Sequence, residues 1–188
     1  MSLSTQDRQY LLKLAREAIA HHLHGEGPPP VDQDPQSEAL TREGASFVTL
    51  TKHGQLRGCI GSLETRRPLY QDVAENAVAA AFNDPRFPPV ERKELEDLHV
   101  EVSVLSQPQP LVYDGPEDLI SRLRPGVDGV VVERGWNRAT FLPQVWEKLP
   151  DPQLFLEHLC RKAYLAADAY RHPGLDVYTY QVEKFEEE

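Results

Sequence analysis

The sequence of 188 residues has the composition of an ordinary globular protein, with 40% hydrophobic and 27% charged residues. Its formal net charge of −10 opposes nonspecific attraction to nucleic acid and to anionic lipid. No apolar run reaches the ~20 residues that a membrane span requires, and residues 1–7 do not have the basic n-region followed by an apolar core that is typical of a signal peptide. The two cysteines lack C-x-x-C spacing, which indicates reduced thiols rather than a zinc ribbon or a disulfide framework. We therefore expect a cytoplasmic protein that binds neither nucleic acid nor membrane.

The N-terminal segment predicts a single amphipathic helix. Apolar residues recur at helical spacing over residues 4–23, and Ser4 or Thr5 is a suitable N-cap. The Gly- and Pro-rich stretch that follows has no periodicity, so residues 24–38 are expected to form a linker or a wrapping loop.

The remainder of the chain alternates between hairpins and helices. Residues 45–51 and 56–62 read as the two strands of a hairpin around His53-Gly54, and a helix opened by Pro68 must end near Asp84, before Pro85. Further expected elements are a strand over 99–105, a short helix over 116–122, a hairpin from 126–132 and 139–142 with a loop of several residues, helices at 143–146 and 152–167, a strand over 177–182, and a frayed tail over 185–188. This order predicts an α+β fold with a largely antiparallel sheet flanked by helices.

The segment Leu56-Arg57-Gly58-Cys59-Ile60-Gly61 is the most informative part of the chain. Side chains alternate along a strand, so Arg57 and Cys59 are expected on one face, with a guanidinium beside a thiol. Gly58 and Gly61 lack a Cβ and would allow a ligand to approach the backbone closely. The pattern predicts a functional site, but it does not indicate which reaction the site would perform.

Two interpretations of Cys59 remain open at this stage. A neighbouring cation such as Arg57 favours the thiolate form of Cys59. If the sheet also brought His99 or His53 close to the thiol, the two would form a Cys-His nucleophile, with Glu101 as the acid that orients the histidine. The alternative is that Cys59 is a small buried hydrophobic residue, and that Arg57 pairs with a carboxylate to hold the sheet.

Three further residues are candidates for lining the site. Asp84 and Arg86 are expected to pair across Pro85 and to brace a stiff loop at its border. Asp128 lies between hydrophobic and glycine neighbours and either stabilises a turn or supplies a carboxylate, of which we favour the turn.

The sequence contains none of the short motifs that are typical of nucleotide-binding or serine-hydrolase sites. There is no G-x-G-x-x-G, no Walker-type loop and no G-x-S-x-G elbow. His21, His22 and His24 lie at a helix end without regular carboxylate spacing, so we expect no metal site and no cofactor.

Several blocks together resemble the AMMECR-type domain family, also called AmmeMemoRadiSam system protein A. They are residues 56–61, 84–87, 101–106, 126–130, 141–146 and 159–163, in the order of the family. The resemblance covers nearly the whole chain and implies one domain over residues 1–188. Within it, the sequence pattern places the N-terminal helix at 4–23, a Pro-rich linker at 24–38, which matches no motif of the family, and the core at 39–185. The resemblance also implies two unequal lobes, a cleft lined by residues 57–61, and a link to Memo-like and radical-SAM proteins.

Two functions follow from these observations. One is an enzyme whose cleft uses Cys59, assisted by Arg57 and by Glu101 or His99, on a small polar or anionic substrate. The other is a noncatalytic binding or adaptor protein that uses the same cleft for a partner protein or a metabolite.

Overall fold

The computed structural model describes residues 3–26 and 37–188, which form two compact units. Unit 1 comprises residues up to Leu105 together with Glu183–Glu188, and unit 2 comprises Ser106–Val182. Each unit has its own antiparallel sheet and its own hydrophobic core. The fold is therefore α+β, as the sequence predicts, but the strands divide into two sheets.

Unit 1 consists of a five-stranded sheet with helices packed on its apolar face. The elements are α1 (Thr5–His24), α2 (Glu38–Thr41), β1 (Glu43–Lys52), β2 (Gln55–Gly61), β3 (Arg67–Pro68), α3 (Leu69–Phe82), a 3₁₀-helix (Arg92–Asp97), β4 (Leu98–Leu105) and β9 (Val182–Glu186). The strand order is β2-β1-β4-β9, and β3 pairs with the start of β1.

Helix α1 begins and ends where its sequence signals place it. The Ser4 hydroxyl accepts from the backbone N–H of Asp7, and the Asp7 carboxylate accepts from the Ser4 N–H, which forms a capping box. Gly25 ends the helix with a φ of 71°, a conformation that favours glycine. The predicted linker falls mostly on residues 27–36, outside the described residues.

Strand β1 lies at the centre of this sheet and fixes which side chains share a face. It pairs antiparallel with β2 on one side and with β4 on the other, so Thr49 lies opposite Cys59 and opposite Glu101. Val48, Leu50 and Val100 point to the helices and are fully or almost fully buried. We call the opposite side the polar face; it carries Thr49, Thr51, Cys59, His99 and Glu101.

A buried polar network joins α3 to the start of the sheet. Asp72 accepts from the backbone N–H and the hydroxyl of Ser46 at 2.8 and 2.7 Å, and from the amide of Asn76 at 2.9 Å. The Ser62 hydroxyl and the Arg67 guanidinium also reach Asp72. The carboxylate is thus paired on every side, which is the condition for burying a charge.

The C-terminal residues form a strand rather than a frayed tail, which corrects the sequence prediction for 185–188. Strand β9 extends to Glu186 and completes the sheet beside β4. Glu187 accepts two hydrogen bonds from Arg16 of α1 and one from the backbone N–H of Val100. Because these partners of Glu187 are distant in the sequence, the local pattern of polar and acidic residues predicts an unstructured tail.

Unit 2 consists of a four-stranded sheet with helices packed against it. The elements are β5 (Gln109–Pro110), α4 (Gly115–Arg122), β6 (Gly129–Arg134), β7 (Asn137–Phe141), a 3₁₀-helix (Pro143–Glu147), α5 (Pro152–Lys162), a second 3₁₀-helix (Ala169–Arg171) and β8 (Asp176–Tyr180). The strand order is β5-β8-β6-β7. The core includes Trp146 stacked on Phe155, with ring centroids 3.7 Å apart.

Two boundaries in unit 2 differ from the sequence prediction. Helix α5 ends at Lys162 instead of reaching residue 167, because Tyr164 adopts a φ of 59° that an α-helix does not accommodate. The β6–β7 hairpin turns within two residues, Gly135 and Trp136, instead of through a longer loop. Gly135 has a φ of 60°, which matches the tight hairpin turns that glycine allows.

Across residues 3–26 and 37–188, no helix combines the length and the apolar character needed to cross a membrane.

The packing of α3 against β2 depends on Gly58. A Cβ at this position would lie 2.1 Å from the backbone oxygen of Ala80. We expect Gly58→Ala to lower the free energy of unfolding by about 3 kcal/mol, because a helix backbone cannot yield to the added methyl group. Urea denaturation at pH 7 measures the change.

Gly54→Ala is the matched control for this prediction. Gly54 has a φ of +74° and no atom within 4 Å of an added Cβ, so only backbone strain of about 1 kcal/mol is expected. Equal losses in the two variants would contradict the packing role of Gly58.

Candidate functional site

The main chain of Cys59 is held at the outer edge of the sheet by two side chains. Strand β2 is an edge strand, and its Cys59 N–H donates to Asp84 Oδ2 at 2.9 Å. The carbonyl oxygen of Cys59 accepts from Arg86 Nη2 at 3.3 Å. Asp84 and Arg86 therefore satisfy the backbone groups that an additional strand would otherwise bind.

Asp84 and Arg86 also bind each other, as expected from their spacing across Pro85. Arg86 Nε and Nη2 donate to the two carboxylate oxygens of Asp84 at 3.0 and 2.7 Å. These hydrogen bonds, with the one from the Cys59 N–H, hold the pKa of Asp84 well below its usual range despite its burial. The Asp84 side chain is 2% exposed and that of Arg86 is 54% exposed, so the loop presents a guanidinium to solvent.

The thiol of Cys59 is half-buried on the polar face. Its hydrogen-bond partner within the described residues is the Thr49 hydroxyl, which donates to Sγ at 3.3 Å. Glu101 lies on the other side of Thr49 and is 3.6 Å from Lys184 Nζ of β9. Cys59, Thr49 and Glu101 thus form one row across three strands, which we call the thiol row.

Arg57 does not lie beside the thiol, which corrects the sequence prediction. The pairing of β1 with β2 shifts register between Leu50 and Thr51, so Arg57 is the extra residue of a β-bulge. A bulge interrupts strict alternation and redirects the side chain. The Arg57 guanidinium donates to both carboxylate oxygens of Glu94, at 3.1 and 2.9 Å, and to the carbonyl oxygen of Pro88 at 2.9 Å. The guanidinium near Cys59 belongs to Arg86 instead.

The Cys-His-Glu arrangement considered from the sequence is not assembled around the thiol. His99 shares the polar face but lies opposite Thr51, one row away, and its Nε2 is 3.0 Å from Glu186. Standard strand spacing separates the Cα atoms of Cys59 and Glu101 by about 10 Å, and those of Cys59 and His99 by about 12 Å. His53 lies in the hairpin turn, 3.9 Å from Asp97.

The two glycines of the motif serve packing within the protein. Gly58 lies against the backbone of α3, and a Cβ at Gly61 would lie 2.2 Å from the ring of Phe47. The close approach that the sequence indicates is real, but the atoms that approach belong to this chain and not to a ligand.

Asp128 belongs to unit 2, where it closes a turn. Its carboxylate accepts from the backbone N–H of Arg124 at 2.9 Å, from Arg124 Nη2 at 2.6 Å and from the Gln181 amide at 3.0 Å. This is the turn role that the sequence analysis favours.

Glu94 is the residue that sequence reasoning missed. It accepts from Lys52 Nζ at 3.0 Å as well as from Arg57, and its side chain is 11% exposed. The hydrogen bonds from Arg57, aided by those from Glu91 and Lys52, lower its pKa from 4.5 to about 2. Glu94 lies in an alternation of acidic and basic residues that is typical of a solvated surface, so no local signal distinguishes it.

The histidines at the end of α1 contact other side chains of the protein. His22 stacks on Phe82 of α3 with ring centroids 4.2 Å apart, and His21 is 3.3 Å from Glu26. In the part of the chain that the structure describes, no group of three or more His, Cys, Asp or Glu residues is arranged to hold a metal ion.

Comparison with known proteins gives the family. Residues 12–185 match the model of the AMMECR1 family. A protein of Methanothermobacter thermautotrophicus is 45% identical over 187 residues, which cover 99% of this chain and 97% of that protein. Protein MK0488 of Methanopyrus kandleri is 37% identical over 194 residues, which cover 99% of this chain and 91% of that protein. This chain belongs to the AMMECR1 family.

A solved structure agrees with this assignment. The crystal structure of the uncharacterized protein PH0010 from Pyrococcus horikoshii is similar, with a TM-score of 0.75 and 37% identity. The match covers 96% of this chain and 91% of that one.

The ion pairs of Glu94 predict a specific pH dependence of stability. Because its pKa is lowered in the folded state, Glu94 stabilises the protein fully above about pH 4.5, and this contribution disappears as the pH falls toward 2. Glu94→Gln should lose about 2 kcal/mol of unfolding free energy at pH 7. The difference from the parent protein should shrink below pH 4.5, as measured by urea denaturation across pH.

Glu96→Gln in the same 3₁₀-helix is the control, since Glu96 is exposed. A stability loss for Glu94→Gln that stayed constant from pH 7 to pH 3 would mean that the carboxylate charge is not what stabilises this site.

Proposed function

We propose that this AMMECR1-family protein is a noncatalytic binding protein, and that its recognition surface is the polar face around the thiol row. The observation that carries the proposal is the attachment of Cys59 by its main chain to the Asp84–Arg86 pair. This attachment fixes the edge of the sheet while the thiol is half-buried and the guanidinium is exposed. A surface that is ordered before binding loses less conformational entropy when it binds.

The chemistry of this surface supports recognition by polar contacts. It offers the hydroxyls of Thr49 and Thr51, the carboxylate of Glu101, and the cations of Arg86 and Lys184. Both signs of charge lie on one face, which suits a partner with complementary charges. Glu101 is 29% exposed and Lys184 is 56% exposed, so both remain accessible.

The proposed partners are Memo-like and radical-SAM proteins, the association that the family resemblance implies. We also propose that this function is carried out in the cytoplasm, which the two free cysteines support.

An enzyme with Cys59 as nucleophile is the second candidate. The observation in its favour is that Arg86, a cation, donates to the carbonyl oxygen of Cys59. A cation near a thiol favours the thiolate. In this alternative Arg86 takes the role that the sequence analysis assigned to Arg57, and Glu101 and His99 are not the partners of the thiol.

The rate of Cys59 alkylation by iodoacetamide separates the two candidates. A binding protein should be alkylated at pH 7 no faster than an unstructured peptide with the sequence of residues 56–61, because its thiol needs no activation. Faster alkylation of the folded protein, which Arg86→Ala slows, would favour the enzyme and contradict the proposal.

Two controls accompany the alkylation measurement. Cys59→Ser reports any labelling of Cys160, which is fully buried and whose thiol pKa is raised by burial. Arg124→Ala removes a comparable arginine–aspartate pair from unit 2 and should not affect the labelling of Cys59.

Direct binding tests the surface itself. Purified Memo-like and radical-SAM proteins are titrated against the parent chain, Thr51→Arg and Glu101→Lys, and against Lys13→Glu on the exposed side of α1 as the control. We expect the two polar-face variants to weaken binding of one partner about ten-fold or more, and the control to leave it unchanged. Binding of neither partner, or equal binding by all variants, would overturn the proposal.

A further inference from the structure

Trp136, at the tip of the β6–β7 hairpin, is an aromatic residue that the proposed function does not use. It is 101% exposed, and it forms the two-residue turn together with Gly135, whose φ of 60° suits a tight hairpin. An indole side chain has few rotatable bonds, and tryptophan is enriched among the residues that contribute most to protein–protein binding. The hairpin therefore presents a large apolar group to solvent on a well-defined turn.

The same unit contains an apolar groove of about 510 Å³. It is lined by residues 110–113, 115, 116 and 170–178. The lining includes the buried Leu175 and Val177, and also Pro173 and Val112, of which Val112 is 81% exposed. The volume lies within the ~300–1,000 Å³ that is usual for pockets that take up a drug-sized molecule, so the groove has room for one indole side chain.

The hairpin tip and the groove lie next to each other. Arg134, two residues before Trp136, donates from β6 to the carbonyl oxygens of Pro173 and Gly174, both at 3.2 Å. Pro173 and Gly174 line the groove. Because Trp136 is fully exposed, its side chain does not enter the groove of its own chain. Unit 2 thus places a groove and a projecting apolar side chain side by side.

The distribution of charge favours contact between two copies through unit 2. The chain has a net charge of −10, which makes two copies repel each other. Unit 2 contains ten of the thirty acidic residues and eight of the twenty basic residues, so its net charge is −2, whereas unit 1 carries −8. Two copies that meet through unit 2 therefore bring together the parts of the chain that repel each other least.

We propose that unit 2 mediates self-association, and that Trp136 of each copy enters the groove of the other copy. A contact between identical chains closes into a dimer when the same surface serves both of them. A side chain that fits a groove beside it on the same surface meets this requirement, because two such surfaces exchange their side chains about a two-fold axis. This interface uses no residue of the polar face of unit 1.

The area of this interface predicts a weak dimer. Two indoles and the groove surfaces that they cover would bury roughly 600–1,000 Å², since one aromatic side chain buries ~150–250 Å². This area is below the ~1,200 Å² at the lower end of stable interfaces. We therefore expect a dissociation constant of roughly 10–100 µM, so that the chain is monomeric when dilute.

Sedimentation equilibrium at roughly 5–500 µM covers this dissociation constant. We expect a monomer–dimer equilibrium for the parent chain. Trp136→Ser removes the indole, and Val112→Asp places a charge in the apolar groove, so each should raise the dissociation constant about ten-fold or more. Both positions are exposed, so neither change should prevent folding. A monomer over the whole range, or assemblies that grow beyond a dimer, would overturn the proposal.

A mixture of the two variants tests whether the indole and the groove contact each other. Dimers of Trp136→Ser lack both indoles, and dimers of Val112→Asp have two altered grooves. A mixed dimer keeps one intact contact, between Trp136 of the Val112→Asp chain and the unaltered groove of the Trp136→Ser chain. The mixture should therefore associate more tightly than either variant alone. If it associates no more tightly, Trp136 does not bind in the groove and the proposal is wrong.

Tyr164→Ser is the matched control, because Tyr164 is an aromatic residue of unit 2 that is 91% exposed and does not line the groove. It should leave the dissociation constant unchanged. An equal loss of association in Tyr164→Ser and Trp136→Ser would contradict a specific role of Trp136.

Quenching of tryptophan fluorescence by acrylamide gives an independent readout. Trp146, the second tryptophan, is 3% exposed and donates its indole N–H to the carbonyl oxygen of Asp128 at 2.7 Å, so a change in quenching reports Trp136. Quenching of the parent chain should decrease as the dimer forms, and quenching of Trp136→Ser should not depend on protein concentration. If quenching of the parent chain stays constant while the dimer forms, Trp136 remains in solvent and the proposal fails.

Discussion

The hydrogen bond from the Cys59 N–H to the Asp84 carboxylate is the contact on which the candidate site depends. Asp84 follows the end of α3, whereas Cys59 lies on the edge strand β2, so this single carboxylate joins the helix layer to the sheet. Its charge is neutralised by Arg86, which in turn binds the Cys59 carbonyl oxygen. A buried carboxylate is stable only with such partners, and the same partners close the free edge of the sheet.

A second constraint acts from the opposite face of β2. Gly58 lets the α3 backbone approach the strand, and the bulge turns the side chain of Arg57 toward Glu94. The strand is therefore held by a helix backbone on one face, by the Asp84–Arg86 pair along its edge, and by an ion pair at the bulge. The half-buried thiol lies within this framework, in which Arg57 is held by an ion pair and Gly58 and Gly61 are required by packing.

The two units carry different kinds of surface. The polar face of unit 1 presents hydroxyls and charges of both signs, which suits a macromolecular partner. Unit 2 has a groove lined mainly by tyrosine, proline and aliphatic side chains. The family match spans residues 12–185 and so includes both surfaces.

Local sequence determined much of the fold. Ser4 and Gly25 mark the ends of α1, alternation marks β1 and β4, and the spacing across Pro85 anticipates the Asp84–Arg86 pair. These features depend on neighbours within a few residues, so periodicity and turn chemistry reveal them. Tertiary structure alone decided where Arg57 points, what approaches Gly58, which groups surround Glu94, and that the C-terminal residues form β9. Each of these rests on partners far away in the sequence, and alternation could not anticipate the one-residue bulge that redirects Arg57.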